Sequence, residues 1–85
     1  MKEGYIYEKI MPLSEIDVGY TVQVLKLLTT GLQRRRMLDL GLIPGTVIEV
    51  LRKSPLADPI AYNIRGATIA LRTEESRQIL VRQMN

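Results

Sequence analysis

The sequence has no cysteine, histidine, tryptophan or phenylalanine among its 85 residues. Without cysteine there are no disulfides, iron–sulfur clusters, cysteine-ligated zinc sites or thiol nucleophiles. Without histidine the usual acid–base group at neutral pH is missing, and with it the commonest transition-metal ligand. Carboxylates, Lys, Tyr, Ser and Thr remain, so an enzyme is not expected and no catalytic residue is assigned. Fe²⁺ or Zn²⁺ would have to bind through Asp, Glu or Met alone, a donor set of poor affinity and selectivity for such ions. No metal site and no cofactor are therefore expected. Long apolar runs are also missing: uncharged stretches fall far below the ~20 residues of a membrane span. Met1-Lys2-Glu3-Gly4 is acidic within three residues, unlike a secretion signal. The expected location is cytoplasmic, with no membrane insertion.

What is present is ordinary globular material, 46% hydrophobic and 25% charged. The length suits one small domain with a thin core, since a chain of this size buries only about 60–65% of its unfolded surface. Twelve Lys and Arg against nine Asp and Glu leave a net charge of +3. That balance would help contact with an acidic partner or a nucleic acid and demands neither.

Residues 1–11 mix charge with Tyr5, Ile6 and Tyr7 and read as a leader or an extra edge strand; residues 12–85 form the domain. Ser14 can cap a helical turn, with Leu13 and Val18 placed as a hydrophobic staple and Gly19 as the exit. Residues 20–28 alternate as a strand until the phase slips between Val24 and Lys26, which predicts a bulge or bend. Thr30 and Gln33 fit a capping box, and the helix runs from Gly31 to about Leu40 with Leu32, Met37 and Leu40 as its core stripe. Gly41, Leu42 and Pro44 spell a Schellman stop. Residues 46–53 form a second strand. A loop follows between Pro55 and Pro59. Two further strands, 60–64 and 67–71, flank Arg65-Gly66 as a hairpin with Gly66 at positive φ. Thr73 caps an acidic helical turn that leads to a last strand at 79–81. Glu74-Glu75 belongs to that helix start and leaves no paired carboxylate site. The fold class is mainly β: a small SH3-like antiparallel barrel of about five strands with an inserted short α-helix and one or two helical turns. An OB-fold is the runner-up.

Three stretches then stand together: Arg35-Arg36-Met37-Leu38-Asp39-Leu40-Gly41-Leu42-Ile43-Pro44-Gly45-Thr46, Ser54-Pro55-Leu56-Ala57-Asp58-Pro59, and Arg65-Gly66 leading to Ala70-Leu71-Arg72. In this order and spacing the chain resembles the FeoA family of ferrous-iron transport accessory proteins over roughly residues 13–83. The family pattern is a helix ending in Leu-Gly-Leu-x-Pro-Gly, a Pro-Leu-Gly-Asp-Pro loop and an Arg-Gly hairpin, with Ala57 standing here where the family usually has Gly. The resemblance implies an SH3-like barrel. It also implies a cytosolic adaptor that contacts the membrane GTPase transporter FeoB and lies peripheral to the inner membrane through it. The domain type is similar to the C-terminal domain of iron- and manganese-dependent repressors, which leaves a stand-alone peptide-binding domain as an alternative.

The residues singled out for partner binding are Arg34, Arg35, Leu56, Ala57 and Asp58. Arg34-Arg35-Arg36 can grip an acidic surface or lie as a solvated helix face, and Arg35 or Arg36 can pair with Asp39. Leu56 sits at a loop tip between two prolines, either docking on a partner or folding back to plug the barrel end. Gly41, Leu42, Pro44, Gly45, Pro55, Pro59 and Gly66 are assigned structural roles. Of the four tyrosines, Tyr62 shares parity with Ile60 and Ile64 and is expected in the core. Tyr5 and Tyr7 lack basic interleaving, so the signal for a small nucleic-acid-binding β-barrel is weak and no nucleic acid is expected. Exposed strand edges leave self-association open.

Overall fold

Short alternating runs build six antiparallel strands in the computed structural model, which describes residues 9–84. They are β1 (Ile10–Pro12), β2 (Thr21–Leu27), β3 (Val47–Lys53), β4 (Ile60–Ile64), β5 (Ala67–Leu71) and β6 (Ile79–Gln83). Two helices interrupt them, α1 (Gly31–Asp39) between β2 and β3 and α2 (Thr73–Ser76) between β5 and β6. The strands form one sheet in the order β1-β6-β2-β3-β4-β5, all neighbours antiparallel. Mainly β with two helices is the architecture read from the sequence, with a sixth strand added. That strand, β1, pairs with β6 through Ile10 opposite Arg82 and Pro12 opposite Leu80. The leader's tyrosines, Tyr5 and Tyr7, lie outside the described residues.

The inward parity of the strands makes the core. Val22, Val24 and Leu27 of β2, Ile48 and Val50 of β3, Ile60, Tyr62 and Ile64 of β4, Leu71 of β5, and Ile79 and Val81 of β6 are all buried. Val24 and Leu27 are three residues apart yet share the core, because the register slips between Val24 and Lys26 as the sequence phase requires. A second slip, between Val50 and Arg52, bends β3 at the same Val-Leu-basic pattern, which the sequence reading passed over. Two bulges on neighbouring strands give the sheet the strong curl of a small barrel. Leu13, Ile16, Met37 and Leu42, from outside the strands, complete the core.

Local signals differ from expectation at three places. A 3-10 turn spans Leu13–Glu15 with Pro12 before it, so Ser14 lies inside the turn and does not cap it. Leu13 and Ile16 are its buried pair, joined by the Ile16 N–H donating to the Leu13 carbonyl at 3.1 Å. Val18 is 47% exposed, which rules out the staple. At α1, Thr30 makes no side-chain capping bond, because the chain enters the helix through Gly31 at φ 61. Leu32 is 89% exposed and is not core. Five residues from Met37, it lies about 140° round the helix from the buried stripe. Met37 is buried, and Leu38 and Leu40 pack partly against the cluster. At α2, Thr73 is the first helical residue and not the cap; the N–H of Arg72 donates to Glu75 Oε1 at 3.0 Å.

The stop of α1 follows its signal closely. Gly41 has φ 92, its N–H donates to the Leu38 carbonyl, and the Leu42 N–H donates to the Met37 carbonyl, both at 3.0 Å. These two bonds define a Schellman motif. The Thr46 hydroxyl donates to the Gly41 carbonyl at 2.8 Å, and Gly45 and Thr46 exchange backbone bonds with Val24 at the β2 bulge. The helix exit is thereby pinned to the sheet.

Candidate partner-binding surface

The loop from 54 to 59 is stiffened by its own hydrogen bonds. The Ala57 N–H donates to the Ser54 carbonyl at 2.7 Å, and the Asp58 N–H donates to Ser54 Oγ at 2.9 Å. Asp58–Pro59 is a cis peptide bond. Ala57 has φ 63, the left-handed conformation that disfavours a residue with a Cβ. Leu56 is 89% exposed at the tip; it does not plug the barrel end. Asp58 turns back, its Oδ1 accepting the Thr73 N–H at 3.0 Å, and the Thr73 hydroxyl reaches the Ala57 carbonyl at 3.5 Å. A carboxylate thus sits at the amide end of α2 and ties the loop to that turn.

On α1, Arg34, Arg35 and Arg36 are exposed. Arg35 pairs with Asp39 at 3.7 Å, one helical turn on, a surface contact worth under about 0.5 kcal/mol. Arg36 crosses to Glu75 Oε2 of α2. Glu75 therefore holds the start of α2 with one carboxylate oxygen and α1 with the other. Among the described residues, no hydrogen bond or ion pair links the two groups of residues expected to bind a partner directly. They are joined through one four-residue helix, the arginine face of α1 by Arg36 and the loop by Asp58. Each group carries one almost fully exposed leucine, Leu32 on α1 and Leu56 in the loop. A single exposed leucine is ordinary; Leu32 and Leu56 each lie near a stiffened contact to α2.

Sequence reasoning missed a second surface. Ile43, Pro44, Gly45, Thr46, Val47 and Arg65 line an open depression of about 490 Å³. The Leu-Gly-Leu-x-Pro-Gly stretch thus also presents Ile43 to solvent, beside exposed Val47 at the start of β3. Arg65 has φ 53 beside Gly66 at φ 87, so both central residues of the β4–β5 turn are left-handed, as a type I′ hairpin requires. Such turns favour Asn, Asp or Gly at the first position, and an arginine there was the available signal. Its side chain lies over the helix stop: a Cβ on Gly41 would come within 2.7 Å of Arg65 Cδ. The two motifs far apart in sequence are in contact.

Among the described residues no three acidic side chains gather into a metal-binding group. Tyr62 is in the core as expected. Burial pushes its phenol above the usual tyrosine range, and the neighbouring Ser76 hydroxyl offsets part of that without a full hydrogen bond to it. No helix among the described residues is long and apolar enough to cross a membrane.

The chain is similar to known proteins over most of its length. A FeoA domain model matches residues 11–83. The chain is 34% identical over 71 residues to an Fe(2+) transport protein A/Fe(2+) transporter FeoB fusion protein of Porphyromonas gingivalis, covering 84% of this chain and 8% of that protein. It therefore spans under a tenth of that relative's length. The solution structure of FeoA from Chlorobium tepidum is 37% identical, with a TM-score of 0.83, covering 88% of this chain and 71% of that one. Two more distant likenesses concern the fold alone. A zinc-complexed FeoA of Stenotrophomonas maltophilia, a prokaryotic SH3 domain protein, matches at 24% identity and TM-score 0.75 over 84% of this chain and 88% of that one. A manganese-dependent transcriptional repressor matches at 20% identity and TM-score 0.81 over 93% of this chain and 44% of that one. The sheet described above is this SH3-like fold.

Proposed function

This chain belongs to the FeoA family, and from that premise we propose that it is a non-enzymatic accessory protein of ferrous iron transport that acts by contact with the cytoplasmic part of a FeoB-type transporter. The observation that carries the reading is the fusion relative, in which a segment 34% identical to this chain is continuous with an Fe(2+) transporter. Fusion holds two modules at an effective concentration of the order of millimolar. At such a concentration even a weak contact between the two modules is populated, and this chain carries a surface that suits one. The surface that fits is the one around α2, with Leu32 and Leu56 as apolar anchors, Arg34 and Arg35 as cationic contacts, and Ala57 and Asp58 setting the loop. Stiff elements lose little entropy on docking, so a small surface suffices for a regulated contact. The protein works in the cytoplasm, at the membrane only through its partner. It serves iron traffic as a protein contact, with iron as the transporter's cargo.

The test is co-purification of the chain with the transporter's cytoplasmic domain, with GTP hydrolysis and iron uptake as readouts. Association that Leu56→Asp weakens supports the reading. No association, together with no effect on hydrolysis or uptake, rejects it.

A further inference from the structure

The two ends of the sheet are built differently. β1 is three residues long and closes on Pro12, a short, proline-ended edge of the kind that resists pairing. β5, at the other end, is Ala-Thr-Ile-Ala-Leu, without charge, proline or bulge. Its turn makes Ile64 and Ala67 a hydrogen-bonded pair, so Tyr62 and Ile69 are the next such pair. The backbone N–H and C=O groups of Thr68 and Ala70 consequently point away from β4, and both residues are exposed. Among the described residues no strand pairs with this edge, which makes it a template for another strand.

Basic side chains flank the strand, and two of the acids at its Leu71 end are already engaged, Asp58 by the Thr73 amide and Glu75 by the Arg72 amide and Arg36. Residues 59–73 contain Arg65 and Arg72, one at each end of β5, and no Asp or Glu. Ala70 and its partner Ala61 floor an open depression of about 330 Å³ walled by Arg52, Lys53, Pro55 and Pro59. The acid on that face of the sheet, Glu49, lies opposite Asn63, two strands in from the edge. A second copy is a poor occupant. Antiparallel pairing of β5 with itself brings the Arg65 end of each copy to the Arg72 end of the other, like charge against like.

We propose that the free edge of β5 receives an extended, acidic segment of a partner protein as a seventh strand. Backbone bonds to Thr68 and Ala70 hold it, and acidic side chains at alternate positions face Arg52, Lys53 and the flanking arginines. The inference rests on the reading of the chain as a docking domain and adds a second contact with its own geometry.

The probe is a capped ten-residue peptide alternating Glu and Thr, titrated into the ¹⁵N-labelled full chain, with the Lys-for-Glu peptide as control. The expected result is saturable shifts and slowed solvent exchange at the Thr68 and Ala70 amides. The Ile69 amide, already bonded to β4, changes little, and the lysine peptide has no effect. Thr68→Pro, whose lost N–H faces solvent, abolishes binding; Arg65→Asn, which suits the turn, weakens it about three-fold. Shifts absent from Thr68 and Ala70, shifts equal with both peptides, or protection of these amides by a concentration-dependent dimer would overturn the proposal. If the transporter domain binds and the acidic peptide does not, the edge is wrong and the accessory reading stands. The reverse outcome removes the accessory reading and keeps the edge.

Discussion

The contact between Arg65 and Gly41 joins the two most recognisable stretches of the sequence, and it can be measured as a coupling. Consider Gly41→Ala. At φ 92 a Cβ meets left-handed strain of about 1–2 kcal/mol, offset by about 0.4–1 kcal/mol from a stiffer unfolded chain. The added methyl would also lie 2.7 Å from Arg65 Cδ. That atom belongs to a flexible side chain, so it moves to another rotamer at about 0.5–1.5 kcal/mol without displacing the backbone. The total is about 1.5–2 kcal/mol. Gly66→Ala is the control: φ is 87, and nothing lies within 4 Å of the added Cβ. It carries the strain alone, about 1 kcal/mol. In thermal unfolding the Gly41 variant should lose roughly 6–16 °C and the Gly66 variant about 4–8 °C. Truncating Arg65 to Ala in the Gly41→Ala background should recover the difference, a coupling of about 0.5–1 kcal/mol in a double-mutant cycle. Equal losses for the two glycines, with no coupling to Arg65, would refute the contact.

Other expectations follow from the loop and the exposed leucines. Ala57→Gly relieves the strain at φ 63 and should stabilise the fold by about 0.5 kcal/mol in urea unfolding, once the extra freedom of the unfolded chain is subtracted. Asp58→Ala removes the acceptor for the Thr73 amide and should cost about 1 kcal/mol, with faster hydrogen exchange at Thr73. Leu32→Asp and Leu56→Asp should change stability by less than about 0.5 kcal/mol while weakening association with the transporter domain; Met37→Ala, in the core, should cost about 2–5 kcal/mol.

Much of the fold was legible because periodicity and turn chemistry are local. The phase slip at Val24–Lys26, the Gly41 stop and the Arg65-Gly66 turn each follow from a few adjacent residues. What escaped depends on partners distant in sequence. Leu32 looks like core until its angle from Met37 is counted. The bend at Val50–Arg52 was missed although Val50-Leu51-Arg52 repeats the phase slip of Val24-Leu25-Lys26. Thr30 is the N-cap of α1 as read but makes no side-chain bond, whereas the cap of α2 is Arg72 and not Thr73, whose amide is met by Asp58, 15 residues upstream. The candidate surface was legible as residue types, Leu56 between prolines and a run of arginines. Its assembly around α2 required Arg36 and Glu75 to meet across 39 residues.

The most direct measurement of the account is an amide shift map of the ¹⁵N-labelled chain with the transporter's cytoplasmic domain. The account predicts shifts clustered at Leu32, Arg34 and Arg35 of α1 and at Leu56, Ala57 and Asp58 of the loop, reduced in Leu56→Asp. A transporter domain that leaves these amides unmoved at concentrations where the native pair functions would contradict it.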